Sequence, residues 1–122
     1  MKHVVRIKRV FDQPLEKDGV RIMIDRIWPR GLTKEEAAID DMAKDLAPTV
    51  GLRKWFGHEP VLWPEFQKKY KAELKKNEAV EQFVENYKDR AVITLVYSAK
   101  DEQHNHAIVL QDYLQHQFDE LV

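Results

Sequence analysis

Asp25, Arg26, Trp28 and Arg30 stand together in the segment DRIWPRG. A carboxylate, two guanidiniums and an indole so close in sequence have the functional groups to grip an anion, move a proton or stack on a ring. Arg53 and Lys100 add positive charge from elsewhere in the chain. Arginines recognise phosphate or carboxylate through planar, paired hydrogen bonds, and free helix N–H groups assist them. The competing account pairs these cations with Asp25, Asp101 and Glu59, so that they only lock loops. Asp25 is the candidate general base, a carboxylate at the end of an apolar run. Its plainer role is to accept backbone or arginine hydrogen bonds and position the Arg30 loop. Strand alternation sends Asp25 and Arg26 to opposite faces, which gives them separate partners.

Two further groups invite the same weighing. His104-Asn105-His106 has the look of a metal motif. A spacing of two turns the rings apart on a helix, and no third ligand is evident, so no metal is assigned. Capping of a helix by Asn105 or His104 is the simpler reading. Trp28, Trp55 and Trp63 have rings suited to stacking on a base or sugar, but large apolar anchors are what packed helices require. Ser98 lacks the glycines of a nucleophile elbow. No GxGxxG or Walker pattern is present, and no cofactor is implied.

The elements that must position these residues follow from periodicity. Residues 20–24 are almost wholly apolar, as in the middle of a covered, usually parallel sheet. Residues 91–97, AVITLVY, form a second strand of this kind. Residues 3–10 alternate and predict a half-exposed strand. The nine residues 11–19 are short for a helical crossover, so its direction is open between a compressed parallel connection and a hairpin-like return. Thr33 to Glu36 has the form of a capping box, and Ala38, Ile39, Met42 and Leu46 predict one helical stripe, which Asp40-Asp41 could break. Thr49 caps a short helix over 50–56, closed by Gly57. Trp63, Phe66, Tyr70 and Leu74 predict an amphipathic helix with lysines outside. Asn77 caps another helix, carrying Val80, Phe83, Val84 and Tyr87. A last helix runs from about 106 to 118.

Buried strands separated by helices give a single α/β domain over residues 1–122, with a small, mainly parallel sheet of about three strands and about five helices. Ligands of such sheets sit beyond the carboxyl ends of the strands. That rule gathers Asp25, Arg26, Trp28 and Arg30 with Tyr97, Ser98 and Lys100, and the following loop adds His104 and Asn105; all but Ser98 are carried as candidate site residues.

The segments DRIWPRG, LAPTVGLRKWFGHEP, FQKKYKAEL and TLVYSAKDEQHNHAIVL resemble the YeaO-like family of small bacterial proteins, part of a larger domain-of-unknown-function group. The resemblance spans about residues 4–114. It implies an α/β domain with these segments at one end of the sheet, and it carries no catalytic assignment. Met42 stands where similar relatives often have Trp. Some distant members have cysteines near the last strand, where this chain has Tyr97, Ser98 and Asn105.

Totals narrow the function. Twenty basic against 21 acidic residues leave a net charge of -1, which disfavours duplex nucleic acid and anionic membranes as partners. The absence of cysteine excludes disulfides and thiolate chemistry. No apolar run approaches a membrane span, and the N-terminus is unlike a signal peptide, so a cytoplasmic setting is expected. The leading expectation is a pocket for a small phosphate or carboxylate ligand. An enzyme built on it would be a metal-independent hydrolase or transferase. The alternative is a non-catalytic module that binds another protein through Trp28, Pro29 and residues 58–63.

Overall fold

The computed structural model describes residues 2–121. Four parallel strands, β1 (Val4–Arg9), β2 (Val20–Met23), β3 (Asp41–Met42) and β4 (Val92–Tyr97), form one sheet in the order β1-β4-β2-β3. The helices are α1 (Lys34–Ala37), α2 (Val50–Phe56), α3 (Trp63–Lys76), α4 (Glu78–Tyr87) and α5 (His106–Asp119). The domain is α/β with a small parallel sheet, as its alternation of apolar strands and amphipathic helices predicts.

The two strands apolar on both faces, β2 and β4, are the interior pair, with Met23 beside Val96. Alternation divides their side chains between two cores. Ile22, Ile24, Ile93, Leu95 and Tyr97 pack under the helices with Phe66, Tyr70, Leu110 and Phe118. Met23 and Val96 face the other way, onto Val10, Ala37, Trp28 and Met42. Covering both faces is what such strands need.

β1 runs parallel to β4, with Val4 opposite Val92 and Arg9 opposite Tyr97. The connection to β2 is therefore a crossover, and it contains only a 3-10 turn, Glu16–Asp18. So tight a path demands two devices. Gly19 has φ +67, and a Cβ there would lie 2.3 Å from the Val92 carbonyl oxygen, so only glycine fits. Asp18 is buried between Lys8 (3.0 Å) and Arg21 (2.7 Å) and accepts the Leu15 N–H. Burial acts to raise the Asp18 carboxyl, but the Leu15, Lys8 and Arg21 bonds outweigh it and hold it below the ordinary value.

The outer edge of β1 is closed by α5. Gln115 accepts the Val5 N–H and donates to the His3 carbonyl, while Gln111 donates to the Val5 carbonyl. The continuous stripe expected from Ala38 to Leu46 is not one helix. α1 stops at Ala37, with Ala38 left-handed. Asp40 then accepts the Arg21 backbone N–H, and Asp41–Met42 join the sheet as the fourth strand. Two adjacent aspartates, poor in a helix interior, favour this local hydrogen bonding instead.

Candidate functional site

Because β2 and β4 end side by side, the first residues beyond them meet. Asp25 Oδ2 accepts the Ser98 N–H at 3.0 Å and the Ser98 hydroxyl. Asp25 Oδ1 lies 3.1 Å from His106 Nε2, at the first turn of α5. The two atoms are at ion-pair distance but out of hydrogen-bond alignment, and both are buried without a hydrogen-bond partner. Burial acts to raise the Asp25 carboxyl. The neighbouring His106 imidazole and the two Ser98 bonds outweigh it, and the group sits below the ordinary carboxylate value.

This cluster lines a cavity of about 250 Å³ at the carboxyl ends of the strands. Trp28, Pro29, Pro48, Phe56 and Phe66 are among its apolar lining, and Arg26, Arg53 and His58 supply basic groups. The wall is held by bonds to backbone. Arg26 Nε donates to the Pro48 carbonyl at 3.0 Å, and the Trp28 indole N–H donates to the Leu32 carbonyl. The buried Tyr70 hydroxyl donates to the Leu46 carbonyl. Burial, with the nearby Glu73 charge, pushes that phenol well above its ordinary value, so it stays a donor. Thr49 caps α2 and bonds the Glu73 carboxylate through its N–H and hydroxyl, which pins the 46–49 segment to α3.

The cavity brings together Asp25, Arg26, Trp28, Arg53 and Asn105 from the residues singled out in the sequence, and leaves four outside. Arg30 is exposed at a loop tip, where Gly31 (φ +80) turns the chain and Trp28 ties back to Leu32. Lys100 is exposed in the loop after β4. Tyr97 is buried by strand alternation in the core beneath the helices. His104 bonds Asp101 (3.0 Å) and meets Trp63 edge-on at 5.5 Å. Asn105 caps α5, its Oδ1 accepting the Ile108 N–H and its Nδ2 donating to the Asp101 carbonyl. That cap separates the two histidines: His104 lies before the helix and His106 begins it. Among the described residues no group of three or more His, Asp or Glu side chains is placed to hold a metal ion.

Three polar lining residues stand outside the candidate ligand set: Ser98, which the strand-end rule names, His58, which belongs to the 58–63 segment of the alternative reading, and His106. Ser98 lies beyond β4 as Asp25 lies beyond β2, which is why the strand-end rule selects both. His106 was hidden in a tripeptide whose metal-like spacing drew attention to the pair rather than to its second member.

Residues 4–121 match the family model described as the inactive DUF488-N3 subclade. The chain belongs to this family. Its relatives include the uncharacterised protein YeaO of Escherichia coli K12, 40% identical over 110 residues that make up 90% of this chain and 96% of YeaO. The uncharacterised protein Rv3073c of Mycobacterium tuberculosis H37Rv is 34% identical over 110 residues, 90% of this chain and 92% of the relative. No solved structure matches the chain. The YeaO-like resemblance of the sequence motifs is thereby established. Among the described residues no helix is long and apolar enough to cross a membrane.

Proposed function

We propose that the protein binds a small anionic ligand, a phosphate or carboxylate on an apolar body, in the cavity beyond β2 and β4, without chemically altering it. The observation that carries this reading is the composition of the cavity. Arg26 and Arg53 line it together with aromatic and proline residues, Arg26 held by the Pro48 carbonyl, and the single carboxylate there takes the Ser98 bonds and faces His106. Apolar walls with a few convergent polar groups are the usual make-up of small-molecule sites.

The same geometry argues against turnover. Asp25 Oδ2 takes both Ser98 hydrogen bonds, Oδ1 is buried against His106, and the lowered proton affinity of the carboxyl makes it a weak base toward water or an alcohol. The Ser98 hydroxyl donates to Asp25, so no imidazole accepts its proton as a nucleophilic serine requires. The description of the family as inactive supports binding without reaction.

Thermal melts with inorganic phosphate, phenyl phosphate and benzoate test the proposal. A probe at ten times its Kd stabilises the folded state by about 1.4 kcal/mol, or roughly 3–6 °C in Tm. Arg53→Ala removes an exposed side chain, so it should keep the ligand-free Tm and lose the response. Absence of a shift with every probe refutes the proposal. A second reading, docking of another protein over the cavity mouth, draws support from the apolar side chains of Ile27 (65% exposed) and Val61 (83% exposed). Recovery of a partner by wild type but not by Ile27→Asp, with no small-molecule response, would favour it.

A further inference from the structure

The chain leaves α2 through a turn whose residue types do not match its geometry. The Glu59 N–H bonds the Phe56 carbonyl at 3.0 Å across Gly57 and His58, which have φ +53 and +59. Positive φ at both central residues defines a type I′ turn, which favours Gly, Asn or Asp at both positions. Gly57 meets that demand. His58 holds a full side chain in the left-handed region, a conformation that strains a non-glycine residue.

The other left-handed non-glycine residue has an evident cause. Ala38 ends α1, and its N–H and that of Ile39 satisfy the last helix carbonyls. Helix closure does not explain His58 in this way, because the Gly57 N–H already bonds the Arg53 carbonyl. Nor does a local side-chain bond offset the strain. Among the described residues the His58 imidazole has no hydrogen-bond partner, and its ring tilts against Phe56 at 6.0 Å. What the conformation achieves is placement, since His58 lines the cavity together with Arg53, one turn earlier in the chain.

We infer that His58 is a ligand-contacting residue, whose imidazole and the Arg53 guanidinium form the anion-recognising rim of the cavity. The inference rests on the binding reading above and adds a residue to it. It also narrows the ligand. A cavity of about 250 Å³ lies just below the roughly 300–1,000 Å³ that receives drug-sized molecules, so the ligand it fits is a small one. Strained positions gather at ligand sites because the fold around them holds a side chain where relaxation would remove it.

The test uses His58→Gly and His58→Asn, two residues that accept the turn. Tm without ligand and calorimetric titration with phenyl phosphate and with benzoate are read on each variant and on wild type. His58→Gly should raise the ligand-free Tm by about 2–4 °C as strain is released. It should also weaken the better probe at least tenfold. His58→Asn keeps the turn and an N–H donor, and should recover part of the affinity. Retention of wild-type affinity by His58→Gly overturns the inference while leaving the binding reading intact. A fall in its Tm also overturns it, because His58 would then be a packing residue on Phe56. Failure of wild type to bind either probe overturns both readings.

Discussion

Asp25→Asn tests the physical core of the site. In the wild type Oδ2 takes two hydrogen bonds from Ser98, and Oδ1 faces His106 Nε2 at 3.1 Å. The asparagine is nearly isosteric, so packing hardly changes. Its oxygen can serve Ser98, which turns its neutral amide nitrogen toward His106 Nε2 and removes the negative charge that faced the ring. Hydrogen bonds to a charged group are worth about 1.5–3 kcal/mol and neutral ones about 0.5–1.5. Losing the charge on two Ser98 bonds and the His106 contact should cost about 2–3 kcal/mol at pH 7. The side chain is only 13% exposed, so solvent screening removes little of this. Urea unfolding followed by tryptophan fluorescence reads the cost directly. With m near ~1.5 kcal/mol/M, the midpoint falls by about 1.3–2 M with m unchanged.

The pH dependence carries the sign. The Asp25 carboxyl is lowered in the folded protein, so its charge-dependent stabilisation is present above the unfolded carboxyl value near ~3.9 and is lost as pH falls through the folded value. Asp18 and Asp101 are lowered too and weaken both proteins in acid. The difference between wild type and Asp25→Asn isolates Asp25. That gap should hold from pH 7 to about 5 and close below about pH 4. Equal stability at pH 7, or a gap that persists unchanged to the lowest pH at which both fold, refutes this account of Asp25.

Two further outcomes follow from the scaffold. Gly19→Ala brings a Cβ into the Val92 backbone at a positive φ, and should destabilise by about 2–5 kcal/mol in the same urea assay, a loss that neutral behaviour would contradict. Tyr70→Phe removes the donor to the buried Leu46 carbonyl and should cost about 1–3 kcal/mol. The same variant should weaken probe binding, because the 46–49 wall loses one of its ties; unchanged affinity would show that Glu73 alone holds that wall.

The interior of the sheet was legible in the sequence because β2 and β4 are apolar on both faces, a pattern few other environments allow. The amphipathic spacing of α3 and the caps at Thr49, Asn77 and Asn105 were legible for the same kind of local reason. β3 was not, since two residues cannot display a period and Met42 falls equally well on a helical stripe. The direction of β1 depended on whether a short connection could cross the sheet, which turns on one contact between Gly19 and Val92. In the site, the strand-end rule found Asp25 and its neighbourhood. It also gathered Arg30 and Lys100, because proximity in sequence to a strand end does not say which way a loop residue points. His58 was invisible as a strained residue: its φ is a property of the turn, and histidine carries no turn signal of its own.

The glutamines of α5 that cover β1 have a consequence for biogenesis. α5 also supplies His106, so one helix covers Val5 on the outer strand and completes the cavity beyond β2 and β4. Of the described elements it leaves the ribosome last. A nascent chain stalled before it would present a bare strand ready to template another copy, and its cavity would be unfinished. Strand exposure and an unfinished cavity therefore end in a single docking event, and factors that recognise open strands would act on the same chains whose cavity is incomplete.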